Sequence, residues 1–216
     1  GGIPSSLYSK QKAKVERALD DFEAQHPEVR CVRLRPALVF KRDAASEIRR
    51  LFLASWVPRF LFDRALLRFV PYHARLRFQT VHSFDVAEAF RLALAPHVRG
   101  AFNLASSPVL SPAVLASALH ARLVPMSAGL LRGLAAITWR LHLQNSDPGW
   151  VDLGLGSPLV DATRARQVLG WSPEHSGLDN LMELLDGMRD AAGLATPPLA
   201  PTRLLQAAMP RAEPET

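Results

Sequence analysis

The sequence predicts an α/β fold, a partial parallel sheet with its crossing helices, followed by a smaller and mostly helical domain. Two observations carry this expectation. Helix and strand periodicities alternate over roughly the first hundred residues, and beyond Ser106 the apolar residues recur almost only at helical spacing.

Taken in order, Pro4-Ser5-Ser6 supplies a turn and a cap, after which Val15, Leu19 and Phe22 recur at helical spacing. A helix over Leu7 to Gln25 follows, ended by His26-Pro27. Arg30 to Phe40 alternates and then becomes continuously apolar, which suits a buried strand interrupted by Pro36. Between Lys41 and Tyr72, helical pieces at about Ala44 to Ala54 and Phe60 to Phe69 are separated by Pro58 and closed by Pro71. Leu76 to His82 reads as a strand, Asp85 as the cap of an amphipathic helix carrying Val86, Ala89, Phe90 and Ala93, and Gly100 to Leu104 as another strand. Further helices are expected at Pro112 to Ala121, Ala128 to Leu143, Thr163 to Leu169 and Leu178 to Ala192. The expected organisation is therefore a sheet domain over 1–105 with an insertion at about 41–75, a helical domain over 106–193, and a proline-rich flexible tail over 194–216.

Composition bounds the function. With 48% hydrophobic residues among 216, the chain can build a real core. Arginines break the best apolar runs, such as Leu130 to Leu143, so no membrane-spanning helix is expected. The single cysteine, Cys31, lies in an apolar strand-like run, which suits a buried, inert thiol in a cytoplasmic protein. The scattered histidines lack zinc-motif spacing, so no metal is expected. The net charge is +6, and the nine basic and three acidic residues between Lys41 and Arg77 account for that whole excess. Such a segment is either a solvated surface or a site for an anionic ligand. Nucleic-acid binding ranks last, because Phe52, Trp56, Phe60, Phe62 and Phe69 in it are spaced for core packing and no recognised nucleic-acid motif surrounds them.

The sharpest chemical feature is Tyr8-Ser9-Lys10-Gln11-Lys12. Tyr8 and Lys12 stand four apart near the start of a helix and so project from one face. A phenol ordinarily ionises near pH ~10, and a neighbouring ammonium that favours the phenolate is what fits it for proton transfer near neutrality.

Pro4 to Lys12, followed by Ala13 and Glu16, resembles the active-site helix of the extended short-chain dehydrogenase/reductases, the NAD-dependent epimerase/dehydratase family. Four further segments resemble that family in order: Arg33-Leu34-Arg35-Pro36, Val81-His82-Ser83-Phe84-Asp85-Val86-Ala87, Gly100-Ala101-Phe102-Asn103-Leu104, and Asp161 to Pro173 with Leu169-Gly170-Trp171. The resemblance spans about Pro4 to Pro173 and implies the carboxy-terminal part of a Rossmann-like fold. It implies that Tyr8 is the catalytic acid/base and also contacts the cofactor, NAD or NADP, that Lys12 stabilises its phenolate and bonds the nicotinamide ribose, and that Arg35 and Pro36 border the nicotinamide. Arg35 equally suits a strand-end residue paired with an acid. His82, Asn103 and Trp171 are read as structural.

The match is incomplete. No glycine cluster, Gly154-Leu155-Gly156 included, follows a strand and opens a helix as a phosphate-binding turn must. The family's serine or threonine before the tyrosine would precede Gly1, and Phe40-Lys41-Arg42 replaces its usual glycine-proline turn. The amino-terminal Rossmann half is thus expected to lie outside these residues, leaving an apolar sheet face uncovered.

The implied activity is that of an oxidoreductase or epimerase/dehydratase acting on a secondary alcohol or ketone carbon. The family's substrate loop corresponds to Lys41 to Arg77, so Arg49, Arg50 and Arg77, with Arg59, Arg64 and Arg68, are candidates for holding an anionic small molecule such as a nucleotide-sugar. A non-catalytic protein of the same fold that senses NAD(P) or binds a partner is the alternative, and homodimerisation of the whole protein stays open. Membrane and nucleic-acid partners are not expected.

Overall fold

The computed structural model describes residues 2–52, 58–142, 144–196 and 199–201. The fold is α/β, with short parallel strand pairs set among helices. Helix α1 (Leu7–Gln25) has the bounds its periodicity predicts, and Ser6 caps it by accepting from the Ser9 amide. The expected Arg30 to Phe40 strand divides into β1 (Val32–Pro36) and β2 (Leu38–Phe40). Proline has no N–H for the ladder, and the chain changes partners just past Pro36. The Ala37 amide donates to the Leu104 carbonyl at 2.8 Å, whereas the Leu38 amide donates to Gln79 at 3.2 Å. Accordingly β1 runs parallel to β5 (Gly100–Leu104), and β2 runs parallel to β4 (Thr80–His82).

Helix α2 (Ala45–Phe52) occupies the first expected helical piece. The second consists of two short 3-10 turns, and its end, Phe69, belongs to strand β3 (Phe69–Tyr72), which pairs in parallel with β6 (Arg122–Pro125). Pro71 is tolerated because this pair has free edges. The aromatic residues of the segment do not share a core as expected. Phe62 packs beside Ala45, Leu184 and Met188, but Phe60 and Phe69 are exposed. Trp56 and the Phe52 side chain lie outside the described residues.

Helix α3 (Ser83–Ala93) leaves β4, and the acceptor at its start is not the expected Asp85 but the His82 ring, which accepts from the Phe84 amide. Helices α4 (Pro112–Ala118), α5 (Ala128–Arg140), α6 (Gly149–Gly156) and α7 (Gly177–Asp190) follow. From Asp161 the chain returns to the first core through a π-helical turn, Ala165–Leu169. Gly170 closes it at φ 67°, where a side chain would be strained. Ala162, Ala165, Leu169 and Trp171 thereby join Val81, Ala89, Val98, Phe102 and Leu104 in one cluster. At the start of the tail Ala200 is buried. Leu38 and Val39, expected in a buried strand, are exposed, as are Leu7, Val15 and Phe22 of α1. Cys31 is only half-buried, and burial together with Glu23 pushes its thiol up, as an inert thiol requires.

Candidate functional site

Tyr8 lies in the first turn of α1 with 48% of its surface exposed. The Lys12 ammonium reaches over its ring, 5.7 Å from the centroid, so the two side chains share one face and stay open to solvent. The Trp150 indole of α6 stacks on the same ring, with centroids 5.5 Å apart and planes 28° from parallel.

No residue of α1 is buried, and ion pairs tie the helix to the sheet. Arg33 of β1, 11% exposed, contacts Glu16, Asp20 and Glu23 on successive turns. Arg35 donates from Nε to Glu16 at 3.0 Å and from Nη2 to the other Glu16 oxygen. Glu16 is one turn beyond Lys12, so Arg35 meets the acid that the alternative for it required. Pro36 is exposed at the end of β1.

The other candidates are dispersed. Arg49 and Arg50 share α2, whereas Arg77 is exposed in the turn before β4. Arg49 lies over the Phe62 ring at 5.9 Å, and burial with the nearby Arg59 cation pulls its guanidinium down from the ordinary arginine value. Arg50 donates to the Ala200 carbonyl at 2.6 Å, and Arg64 pairs with Asp186 at 3.1 Å. Among the described residues no cluster of His, Cys, Asp or Glu could hold a metal, and no helix is long and apolar enough to cross a membrane.

The third resembling segment builds a polar junction. Buried Asp85 accepts from the Glu174 and His175 amides at 3.0 and 3.2 Å and contacts the His175 ring. That ring stacks on His82 at 3.9 Å, and Glu183 of α7 stands 3.3 Å from His82 Nε2. Burial, then the His175 ring, push His82 down from its ordinary value, against the opposing pull of Glu183 and Asp85. The unfolded chain therefore binds the proton more readily, and stability held by neutral His82 is present above pH ~6.5 and declines as pH falls toward the folded value. The urea midpoint should drop between pH ~7.5 and ~5.5, and less so in His82→Asn, which keeps a capping acceptor. Equal midpoints in the wild type would contradict this. Asn103 and Trp171 are structural as expected: Asn103 Nδ2 donates to the Asp161 carbonyl at 3.1 Å, and Trp171 Nε1 donates to the Asp85 carbonyl at 2.8 Å.

Sequence reasoning missed Trp150. Its helix, Gly-Trp-Val-Asp-Leu-Gly-Leu-Gly, is glycine-rich and reads as loop by propensity; the indole directly after Pro148-Gly149 was the available signal.

No family profile matches the chain. Two curated proteins, the uncharacterized Rv2047c of Mycobacterium tuberculosis and Mb2073c of Mycobacterium bovis, are each 28% identical over 188 residues, which is 86% of this chain and 19% of theirs. The chain thus spans about a fifth of the length of these relatives. Among solved structures, MoeE5 in complex with UDP-glucose and NAD superposes with a TM-score of 0.53 at 17% identity, over 88% of this chain and 57% of that one. UDP-glucuronic acid 4-epimerase from Bacillus cereus gives 0.52 at 16% identity, over 88% and 54%. UDP-glucose 4-epimerase from Thermus thermophilus, complexed with NAD, gives 0.50 at 18% identity, over 88% and 56%. The likeness is one of fold: the chain has the Rossmann-like α/β architecture of these three proteins over about half of their length.

Proposed function

We propose that the chain is the part of an NAD(P)-dependent, epimerase/dehydratase-like oxidoreductase that bears the proton-transfer group, acting on a secondary alcohol or ketone carbon of a nucleotide-sugar. The observation that carries the reading is an exposed Tyr8 ring with the Lys12 ammonium over it at 5.7 Å. Tyr8 takes the proton from a substrate hydroxyl or returns it to a carbonyl, and Lys12 holds the negative charge that the phenol then carries. NAD(P), when bound, supplies the hydride chemistry.

The described residues fit the nicotinamide end of that cofactor: Tyr8 and Lys12 are open to solvent on one face, and Arg35 and Pro36 close the neighbouring strand. They do not fit its pyrophosphate, since no glycine-rich turn among them presents backbone N–H groups at a helix start. In this reading that turn belongs to a part of the protein outside these residues, and residues 1–105, 106–193 and 194–216 serve as sheet domain, substrate domain and tail. Arg49, Arg50 and Arg77 would hold the substrate's phosphates, with Arg50 first leaving the Ala200 carbonyl.

Two measurements test the proposal. Calorimetric titration of these 216 residues with NADH should detect weak binding or none, while a longer natural polypeptide carrying them should bind it; micromolar affinity for the fragment would contradict the division of labour. A panel of UDP-glucose, UDP-glucuronic acid and dTDP-glucose should yield turnover or inhibition in the longer polypeptide, and a blank across the panel would remove the substrate class.

A further inference from the structure

Neither the resemblance nor the comparisons give Trp150 a role, yet its indole stacks on the ring that the Lys12 ammonium also overlies. Tyr8 needs such a neighbour. It sits half-exposed on a helix with no buried residue, and the Lys12 ammonium ends a flexible four-carbon stem, so neither fixes the plane of the phenol. An indole stacked at 5.5 Å does, because ring pairs at 4.5 to 7 Å resist sliding and tilting.

The backbone that carries the indole is held from two sides. At the start of α6 the Gly149 backbone presses against Ser5, in the turn that delivers α1. A Cβ at Gly149 would lie 2.7 Å from the Ser5 carbonyl and 2.6 Å from Asp147 Oδ1, so only glycine allows the approach. Asp147 fastens that turn by accepting from the Gly149 amide at 2.7 Å. Just upstream, Asn145 donates to the Arg50 carbonyl at 2.6 Å, and Ser146 donates to the Leu51 carbonyl at 2.8 Å. These carbonyls belong to the last turn of α2, which helix geometry leaves without partners of its own. Residues 145–150 therefore form a strap from the helix that carries Arg49 and Arg50 to the Tyr8 ring.

We propose that Trp150 is the positioning residue of Tyr8, and that the 145–150 strap sets the phenol's orientation from the arginine-bearing helix. The inference rests on the catalytic reading of Tyr8 given above. Trp150 touches no reacting atom; its effect passes through the Tyr8 hydroxyl, and this separates it from a residue that merely supports the fold.

The test is a double-mutant cycle read by NADH affinity in the longer polypeptide, with 3-fluorotyrosine 19F NMR as an independent monitor. Among these 216 residues only Tyr8 and Tyr72 carry the label, and the Tyr8 resonance in the longer polypeptide is identified by its loss in Tyr8→Phe. Trp150→Leu should move the Tyr8 resonance and weaken NADH binding by about tenfold at most, the size of one aromatic pair. Trp150→Phe should restore most of the affinity. In a Tyr8→Phe background, where the hydroxyl is gone, Trp150→Leu should cost little more. An equal loss in both backgrounds, or a shifted resonance with unchanged affinity, would overturn the positioning role. An unmoved resonance would overturn the stack itself. Failure of the wild-type polypeptide to bind NADH would instead strike the cofactor reading, and this inference would fall with it.

Discussion

Tyr8→Phe in the longer polypeptide is expected to lower turnover by roughly 10²- to 10⁴-fold, the range that a positioned acid/base contributes. Affinity for NADH should weaken by about tenfold at most, the size of one neutral hydrogen bond. The split matters because, in the proposed reaction, the hydroxyl both bonds the cofactor and moves the proton, and only proton transfer is confined to the transition state. The fold should not change. Tyr8 is half-exposed, α1 buries no residue, and phenylalanine preserves the ring that stacks on Trp150. Steady-state kinetics beside a far-ultraviolet dichroism spectrum would decide the matter. Unchanged turnover would place the chemistry elsewhere and revive a cofactor-sensing role for this fold.

The second large effect is on stability. Trp171→Ala should cost about 3 to 5 kcal/mol, as expected for truncating a large aromatic side chain in a packed core. Trp171 is 1% exposed among Val81, Phe102, Leu104, Ala165 and Leu169, and its Nε1 donates to the Asp85 carbonyl at 2.8 Å. Truncation opens a cavity and also leaves that carbonyl without its donor. Trp171→Phe refills part of the space and should cost about half as much. Since whole domains are stable by only about 5 to 15 kcal/mol, the alanine variant should show a visibly lower urea midpoint at 25 °C. A loss below about 1 kcal/mol would mean that the core tolerates the hole.

The legible and illegible parts of this chain differ in the range of the forces that set them. Helix α1 was legible to its ends because its cap, apolar period and His26-Pro27 stop all lie within it or beside it. Strands β3 and β6 were not legible, since neither has a pattern of its own. They exist through pairing across some 50 residues, from Phe69 opposite Arg122 to Tyr72 opposite Pro125. The start of α3 shows a subtler miss: Asp85 has the residue type of a cap, but a distant loop claims its carboxylate, and the less usual histidine supplies the acceptor. Exposure of Leu38 and Val39 was not legible from hydrophobicity, which records a preference for burial without saying what provides it; the expectation of an uncovered apolar sheet face came from the family resemblance instead.

By itself the sequence determined the alternating α/β order and the phase of α1, because a 3.6-residue period fixes which side chains share a face within one helix; Tyr8 and Lys12 meet for that reason alone. Only the tertiary structure decided that Glu16 would occupy Arg35, that His175 would stack on His82, and that Trp150 would close on Tyr8. Those contacts join residues from 19 to 142 positions apart, where no local period operates and packing selects the partner.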